Sequence, residues 1–197
     1  RQASAQGYNY APGYGAAGIV SRLLGLPALH GRGLRGAGVR IAVFDSGFWG
    51  LDTNPFFAHL YAEGRILATH DFIAGGAAVT DDDTHGTEVL SLLAARQAGT
   101  YVGTAPEAGY LLARTENVFA ERQEEELAWA AAAEWADSAG AGIISSSLSY
   151  RYFDPGQRSY AYSEMNGRTA LVSQAAARAA AAGILVVVSA GNEGLTA

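Results

Sequence analysis

Short apolar runs typical of buried β-strands alternate with helical patterns along most of this chain. The strand candidates cover residues 39–47 (VRIAVFDSG), 65–72 (RILATHDF), 109–115 (GYLLART), 142–149 (GIISSSLS) and 183–194 (GILVVVSAGNEG). This alternation predicts an α/β fold, in which a parallel β-sheet with right-handed crossovers carries helices on both faces. With 197 residues, 49% of them hydrophobic, the chain can bury a sizeable core as one domain or a large part of one.

Residues 81–95 (DDDTHGTEVLSLLAA) place a histidine where an acidic loop runs into a helix. Thr84 or one of the aspartates supplies the N-cap, and Gly86 leaves room for a close approach to the histidine. His85 is therefore a candidate general base, held rigidly at a helix N-terminus. The positive end of the helix dipole makes this a poor position for a permanently charged imidazole. The buried face of the helix is predicted to consist of Val89, Leu90, Leu92 and Leu93.

Two further polar side chains are expected at the carboxyl ends of buried strands. Asp45 ends the first strand and is followed by a Ser46-Gly47 turn, and Asn192 follows the last strand. Ligands and active sites collect at this edge of parallel sheets. A carboxylate that orients a histidine, the histidine itself and an amide donor are the parts of acyl-transfer chemistry.

The same segments resemble the motifs of subtilisin-like serine proteases, the subtilases. Asp45 in FDSG matches the family's Asp motif, His85 in HGTEV its His motif and Asn192 in AGNEG its oxyanion motif, in the family's order. Two further family segments lie between them, GTAP at residues 103–106 and IISSSLS at residues 143–149. Five motifs in order make the resemblance specific, although each alone is weak.

The resemblance implies a subtilisin-like three-layer α/β domain and a serine endopeptidase with an Asp-His-Ser triad. Asp45 and His85 would be its catalytic residues, and Asn192 would donate to the oxyanion. Residues 1–38 are assigned to an N-terminal arm and lead-in helix, and residues 39–197 to the N-terminal portion of the peptidase domain. Calcium often stabilises such domains, but ligand residues are not identifiable in this sequence, and no metal site is assigned.

The serine motif of the family has no counterpart in the chain. In subtilases the nucleophile belongs to a Gly-Thr-Ser motif after the Asn motif, whereas the Gly-Thr pairs at residues 86–87, 99–100 and 103–104 are not followed by serine. The nucleophile is therefore expected on the C-terminal remainder of the same protease, which becomes the expected partner of this chain. The alternative is a peptide-binding or regulatory module that keeps the fold without the chemistry.

The resemblance also indicates the substrate contacts. Glu116 follows the strand at residues 109–115, where family members offer backbone to a bound peptide. Asp83, in the acidic run ahead of His85, would line the cleft beside the scissile bond. Carboxylates there favour a basic residue near the cut in the protein or peptide substrate. The residues expected to pair with the substrate backbone and wall the pocket for the residue before the cut are Ser147, Leu148 and Ser149.

Composition and sequence patterns argue against several other classes of function. A net charge of −6 argues against nucleic acid as a partner, since a phosphate-binding face needs clustered Lys and Arg. No run of about 18 apolar residues occurs, so a membrane span is not expected. A nucleotide-binding α/β enzyme needs a phosphate loop after a strand, and FDSGF lacks the G-x-G-x-x-G pattern. A secreted or cell-surface location follows from the family resemblance only.

Three local predictions concern the packing. Residues 19–34 are predicted to form a short helix and a turn, broken at Pro27. Residues 121–138 are predicted to form an amphipathic helix with a charged first turn at residues 124–126, and residues 150–168 a long surface loop. The buried face of the predicted helix is expected to be Leu127, Ala130, Ala131 and Trp135.

Overall fold

The computed structural model describes residues 13–192. The first 12 residues of the predicted N-terminal arm, which the sequence places at residues 1–14 ahead of the lead-in helix, lie outside these residues, as do the last two residues of the AGNEG motif. Tyr14, the last residue of the predicted arm, is buried, and it forms a hydrogen bond of 2.6 Å with Nδ1 of His30. The division of the chain at residue 38 stays a prediction.

The strands are β1 (Arg40–Asp45), β2 (Ile66–Asp71), β3 (Arg96–Gln97), β4 (Tyr101–Val102), β5 (Gly109–Arg114), β6 (Ile143–Ser146) and β7 (Leu185–Val188). Five of them form one parallel sheet in the order β2-β5-β1-β6-β7, while β3 and β4 form a small antiparallel ribbon. Because β1 lies in the middle of the sheet, its residues from Ile41 to Asp45 are all buried. The predicted parallel α/β architecture is confirmed.

The α-helices are α1 (Gly18–Leu23), α2 (Leu26–Gly31), α3 (Ala58–Ala62), α4 (His85–Ala94), α5 (Glu124–Ser138) and α6 (Leu171–Ala181), and 3₁₀ turns occupy Gly15–Ala17, Pro55–Phe57 and Tyr162–Glu164. The lead-in segment therefore contains two helices rather than the one that was predicted. Pro27 lies in the first turn of α2, where its missing N–H leaves no hydrogen bond unmade. Gly25 makes the turn between the two helices with a left-handed φ of 71°.

The central strand separates two hydrophobic clusters, one on each face of the sheet. Phe44 packs edge-to-face against Trp129 of α5, with ring centroids 5.3 Å apart. Val43 belongs to the opposite cluster, which contains Leu90 of α4. The two clusters alternate along β1 because successive side chains of a strand point to opposite faces. Helices therefore cover both faces of the sheet, as the predicted three-layer domain requires.

Both predicted helix faces need correction. In α4, Leu90 is buried and Val89 and Leu93 are half-buried, but Leu92 is 57% exposed because it lies on the far side of the helix from Leu90. In α5, Leu127 is 59% exposed. The buried apolar side chains of α5 are instead Ala128, Trp129, Ala132, Ala133 and Ala136. Alanine fills so much of this helix that its pattern does not distinguish the faces, and packing against the sheet selects one.

The segment at residues 150–168 is a largely exposed loop, as predicted, but three of its aromatic side chains reach the core. Tyr150, Phe153 and Tyr160 are buried in the same cluster as Trp129. The glutamate run that opens α5 is not a simple solvated helix start, because two of its three side chains are buried. Glu126 accepts hydrogen bonds from the Tyr160 hydroxyl (2.8 Å) and from the backbone N–H of Val172 (3.1 Å). This carboxylate therefore joins α5 to the loop and to the start of α6.

Replacing Glu126 by alanine should destabilise the fold. The substitution keeps a good helix former but leaves one buried and one partly buried donor without their acceptor, so the free energy of unfolding should fall by about 1–3 kcal/mol. Urea denaturation followed by circular dichroism measures the change. Glu124→Ala is the matched control, because Glu124 is exposed in the same helical turn. Equal denaturation midpoints for the two variants would contradict the role given to Glu126.

Candidate functional site

Asp45 and His85 form a hydrogen-bonded pair at the carboxyl edge of the sheet. The Asp45 side chain is fully buried at the end of β1, whereas the His85 side chain, at the first position of α4, is 46% exposed. The distance between His85 Nδ1 and Asp45 Oδ1 is 2.6 Å. Since a carboxylate only accepts, Nδ1 carries the proton and Nε2 keeps a free lone pair. The pair therefore has the geometry of an oriented general base.

The turn after β1 and the start of α4 are joined by backbone hydrogen bonds. Gly86 N–H donates to the Gly47 carbonyl at 2.9 Å, and Trp49 N–H donates to the Asp83 carbonyl at 2.7 Å. A Cβ atom at Gly86 would lie 2.3 Å from the Gly47 oxygen, so only glycine permits this approach. The room that the sequence predicted around Gly86 is filled by the Asp45 turn itself.

Neighbouring carboxylates set the protonation of His85. Partial burial lowers the pKa of its imidazole, but the hydrogen bond to Asp45 and the negative charges of Asp45, Asp83 and Glu88 outweigh it and raise the pKa. The pKa of His85 is thus raised, opposite to the direction expected from the helix dipole alone. The site therefore stabilises the imidazolium that proton abstraction creates.

The three aspartates ahead of His85 have different surroundings. Asp82 forms an ion pair with Arg114, with 2.7 Å between Oδ2 and Nη1. Asp83 accepts a hydrogen bond of 2.6 Å from the Ser46 hydroxyl, which is the main cause of its lowered pKa, and a second from Thr84 N–H. At the start of α4, the Asp83 carboxylate therefore accepts a hydrogen bond from the backbone N–H of Thr84. The side chain of Thr84, at the N-cap position, makes no capping hydrogen bond. Of these aspartates, Asp83 borders the cleft described next.

A cleft of about 450 Å³ lies in front of the pair. It has the size of a ligand site. The predicted site residues that line it are Asp83, His85, Glu116, Ser147, Leu148, Ser149 and Asn192. Asp45 lies behind His85, at the base of the site. The structure therefore brings all the predicted site residues together, although they come from five separate parts of the chain.

Other residues of the cleft were not predicted from the sequence. They are Ser46, Val118, Glu121, Tyr152, Ser189 and Gly191. Ser46 was detectable, because it follows Asp45 in the FDSG motif and the turn holds its hydroxyl near both motifs. Glu121 and Tyr152 come from irregular loops without periodicity, and nothing in the sequence indicates that their side chains border the cleft.

Glu116 is a partly buried carboxyl in the wall of this cleft. One of its oxygens, Oε2, is buried and has no hydrogen-bond partner among the described residues. Burial raises its pKa to about 8, helped by the charges of Glu121, Glu125, Asp45 and Asp83. Glu116 is therefore mostly a neutral carboxylic acid at pH 7, able to donate a hydrogen bond, and it ionises near pH 8.

Within residues 13–192, no group of three or more acidic or histidine side chains is arranged to hold a metal ion. The described residues therefore do not form a carboxylate-rich calcium site. No helix in the same range is both long and apolar enough to cross a membrane.

Comparison with known proteins identifies a family. The profile of the subtilase family matches residues 36–197. Subtilisin Savinase from Lederbergia lenta is 29% identical over 169 residues, which cover 85% of this chain and 53% of the relative. Subtilisin DY from Bacillus licheniformis is 28% identical over 164 residues, covering 83% of this chain and 50% of the relative. The chain thus spans about half the length of the curated relatives that it matches.

Solved structures give the same picture of the fold. MycP1 with its N-terminal propeptide removed superposes with a TM-score of 0.63 at 25% identity, covering 90% of this chain and 50% of that protein. MycP1 from Mycobacterium smegmatis gives a TM-score of 0.64 at 24% identity, covering 98% of this chain and 48% of that protein. The predicted fold and the predicted family resemblance are both confirmed.

Asp45→Asn should lower the pKa of His85. The amide is isosteric with the carboxylate but removes the charge that favours the imidazolium, so the ring should lose its proton at lower pH. NMR titration of the His85 ring protons measures the change, with His85→Ala to assign them. Asp52→Asn, an exposed position outside the site, should leave the titration unchanged. An unchanged His85 pKa in Asp45→Asn would contradict the pairing.

Proposed function

The chain belongs to the subtilase family, and on this premise we propose that it forms the Asp-His half of a serine endopeptidase. The observation that carries the proposal is the 2.6 Å hydrogen bond from His85 to the buried Asp45, at the edge of a cleft that Asn192 also lines. The serine would come from a part of the protease outside this chain. The proposed substrate is a protein or peptide.

In the proposed mechanism, His85 Nε2 takes the proton from the serine hydroxyl as the serine attacks the peptide carbonyl. Asp45 holds the ring in the required tautomer and stabilises the imidazolium, which then gives the proton to the leaving amine. Asn192 would donate its side-chain amide to the oxyanion of the tetrahedral intermediate. The raised pKa of His85 agrees with this role, because the ring becomes charged during the reaction.

The rest of the cleft would bind the substrate. The residues proposed to pair with the substrate backbone are Ser147, Leu148 and Ser149, which follow β6 and border the cleft. Asp83 and Glu116 would contact substrate side chains. We expect Asp83 to favour a basic residue near the cut, and Glu116 to add to this preference above its pKa of about 8, where it is charged.

The exposed apolar side chains at the outer edge of the sheet are an argument for a partner that completes the domain. β7 is an edge strand, and Leu185, Val187 and Val188 are 60%, 49% and 59% exposed. Strands of parallel sheets are normally buried on both faces. We propose that the C-terminal remainder of the protease, carrying the serine, covers this edge. A secreted or cell-surface location is proposed on family grounds alone.

A fluorophosphonate probe and intact-mass measurement test this proposal on the protein isolated from the cells that produce it. We expect the label on a serine outside residues 1–197, and no label in a His85→Ala variant. Fractionation of the same cells tests the location. A protein that binds peptides but takes no label would instead support the peptide-binding or regulatory module.

Asn192→Ala in the active protease should lower kcat with little change in KM. Loss of one oxyanion donor lowers kcat by about 10²- to 10³-fold, a magnitude that comes from subtilisin itself. Steady-state kinetics on a neutral peptide measure the effect. Asn166→Ala is the matched control, since Asn166 is exposed and bonds only to its own loop. Equal kcat values for Asn192→Ala and the unmodified protein would remove Asn192 from the mechanism.

The preference for a basic substrate residue should increase with pH. Glu116 is neutral below its pKa of about 8 and negatively charged above it, so a cationic side chain should bind better on the alkaline side. The measurement is the ratio of kcat/KM for matched lysine and norleucine peptides between pH 6 and pH 9, in which the titration of His85 cancels. We expect the ratio to rise several-fold in the unmodified protein.

The Glu116→Gln variant should show a flat ratio over this pH range, because glutamine does not ionise. Glu134→Gln, an exposed position on α5 outside the cleft, should keep the rise. A ratio that is flat in the unmodified protein would contradict the role of Glu116 in selecting substrates, even if the peptides are cleaved.

A further inference from the structure

Arg114 occupies the carboxyl edge of the sheet between the ends of two other strands. It is the last residue of β5, and the strand register places it opposite Asp45 of β1 on one side and Asp71 of β2 on the other. Its side chain is 7% exposed. Burying a guanidinium is costly unless acceptors match its N–H donors, so the partners of Arg114 indicate what the residue does.

Three acceptors from three segments surround this guanidinium. Nε donates to the Ser46 carbonyl at 3.2 Å. Nη1 lies 3.0 Å from Asp71 Oδ2 and 2.7 Å from Asp82 Oδ2. The Arg114 fork therefore joins the turn after β1, the end of β2 and the loop ahead of α4. A lysine ammonium is a single point and has no matching fork.

The two aspartates lie at the ends of the loop that carries the chain from β2 to His85. Asp71 is the last residue of β2, and its Oδ1 accepts from Ile73 N–H (2.7 Å) and Ala74 N–H (2.9 Å) at the start of the loop. Asp82 is at the far end of the loop, three residues before His85. Arg114 thus closes the loop with charge-assisted bonds at both ends.

The third contact of Arg114, with the Ser46 carbonyl, connects it to Asp45, the other residue of the pair. Ser46 follows Asp45 and donates to Asp45 Oδ1 through its backbone N–H at 2.9 Å. The Ser46 hydroxyl donates to Asp83 Oδ2, so Ser46 links the Asp motif to the segment ahead of His85. Arg114 binds the backbone carbonyl of this same residue. From these contacts we infer that Arg114 is a positioning residue for the Asp45–His85 pair.

This role deepens the proposed function, since it concerns the same site, but the geometry of the pair can be measured without turnover. Loss of the fork would leave Asp71 and Asp82 close together as like charges and release the loop that carries His85. A displacement of about 1 Å at a catalytic group can lower the rate by about 10²-fold. Arg114 does not line the cleft and does not contact His85. It contacts Ser46, a cleft residue, only at the backbone carbonyl, so substrate binding should change little.

The test compares Arg114→Lys and Asp82→Asn with the unmodified protease. The proton on His85 Nδ1 should give a low-field NMR signal because its hydrogen bond is short. In Arg114→Lys we expect this signal to broaden or vanish, the pKa of His85 to fall, and kcat to fall about tenfold or more with KM changed less than twofold. Asp82→Asn removes one partner of the fork and should give smaller changes in the same direction.

Arg65→Lys is the matched control. Arg65 also joins two segments, since it bonds to Glu63 and to the Glu107 carbonyl, but it lies at the opposite edge of the sheet. This variant should leave the His85 signal, the His85 pKa and kcat unchanged, whatever its effect on Tm. The inference is overturned if Arg114→Lys and Asp82→Asn lower only Tm, and if their His85 signal, pH profile and kcat match those of the unmodified protein.

The experiment separates this inference from the proposed function. If the unmodified protein cleaves no peptide, the endopeptidase proposal fails, whereas the NMR signal and pKa of His85 still decide whether Arg114 positions the pair. If peptides are cleaved and Arg114→Lys leaves kcat and the His85 signal unchanged, the endopeptidase proposal stands and Arg114 has only a structural role.

Discussion

The burial of β1 in the middle of a parallel sheet is the constraint on which the rest of the structure depends. Its pairing with β5 and β6 fixes which residues meet at the carboxyl edge: Asp45 lies opposite Arg114, and Phe44 opposite Ser146. Its alternating side chains anchor the two core clusters beneath the helices. Because all five strands run in one direction, their ends deliver polar side chains to a single edge. The candidate site is a consequence of this sheet.

Electrostatics at that edge depend on the partner that each carboxyl group finds. Asp45 is buried and bonded to His85 and Ser46, so it favours the charged imidazole. Asp82 faces a guanidinium, which keeps its charge compensated. Glu116 has no such partner among the described residues, and burial together with nearby negative charge keeps it protonated up to about pH 8. Similar carboxyl groups thus act as the acceptor that orients His85, as the partner of a buried guanidinium and as a neutral hydrogen-bond donor, according to their surroundings.

Much of the fold and the composition of the site could be predicted from the sequence, because the strand runs and the short motifs are local signals. The predictions failed where the pattern was ambiguous or the information was not local. The alanine-rich α5 offers several faces of similar polarity, and only packing against Phe44 and the sheet selects the face with Trp129. The segment after β6 is a largely exposed loop, as predicted, but the burial of Tyr150 and Tyr160 in the cluster with α5 was not predicted, because a loop has no periodic pattern that marks its buried side chains.

The sequence by itself determined which chemical groups the protein carries and the order of the elements that present them. It placed Asp45 at a strand end and His85 and Gly86 at a helix start, because apolar strand runs and helix starts are local patterns. Only the tertiary structure decided that Asp82 pairs with Arg114, that Arg114 joins three segments, and that Glu116 is kept neutral. These properties depend on distances between residues far apart in the chain and on the water excluded around them, and neither is a property of local sequence.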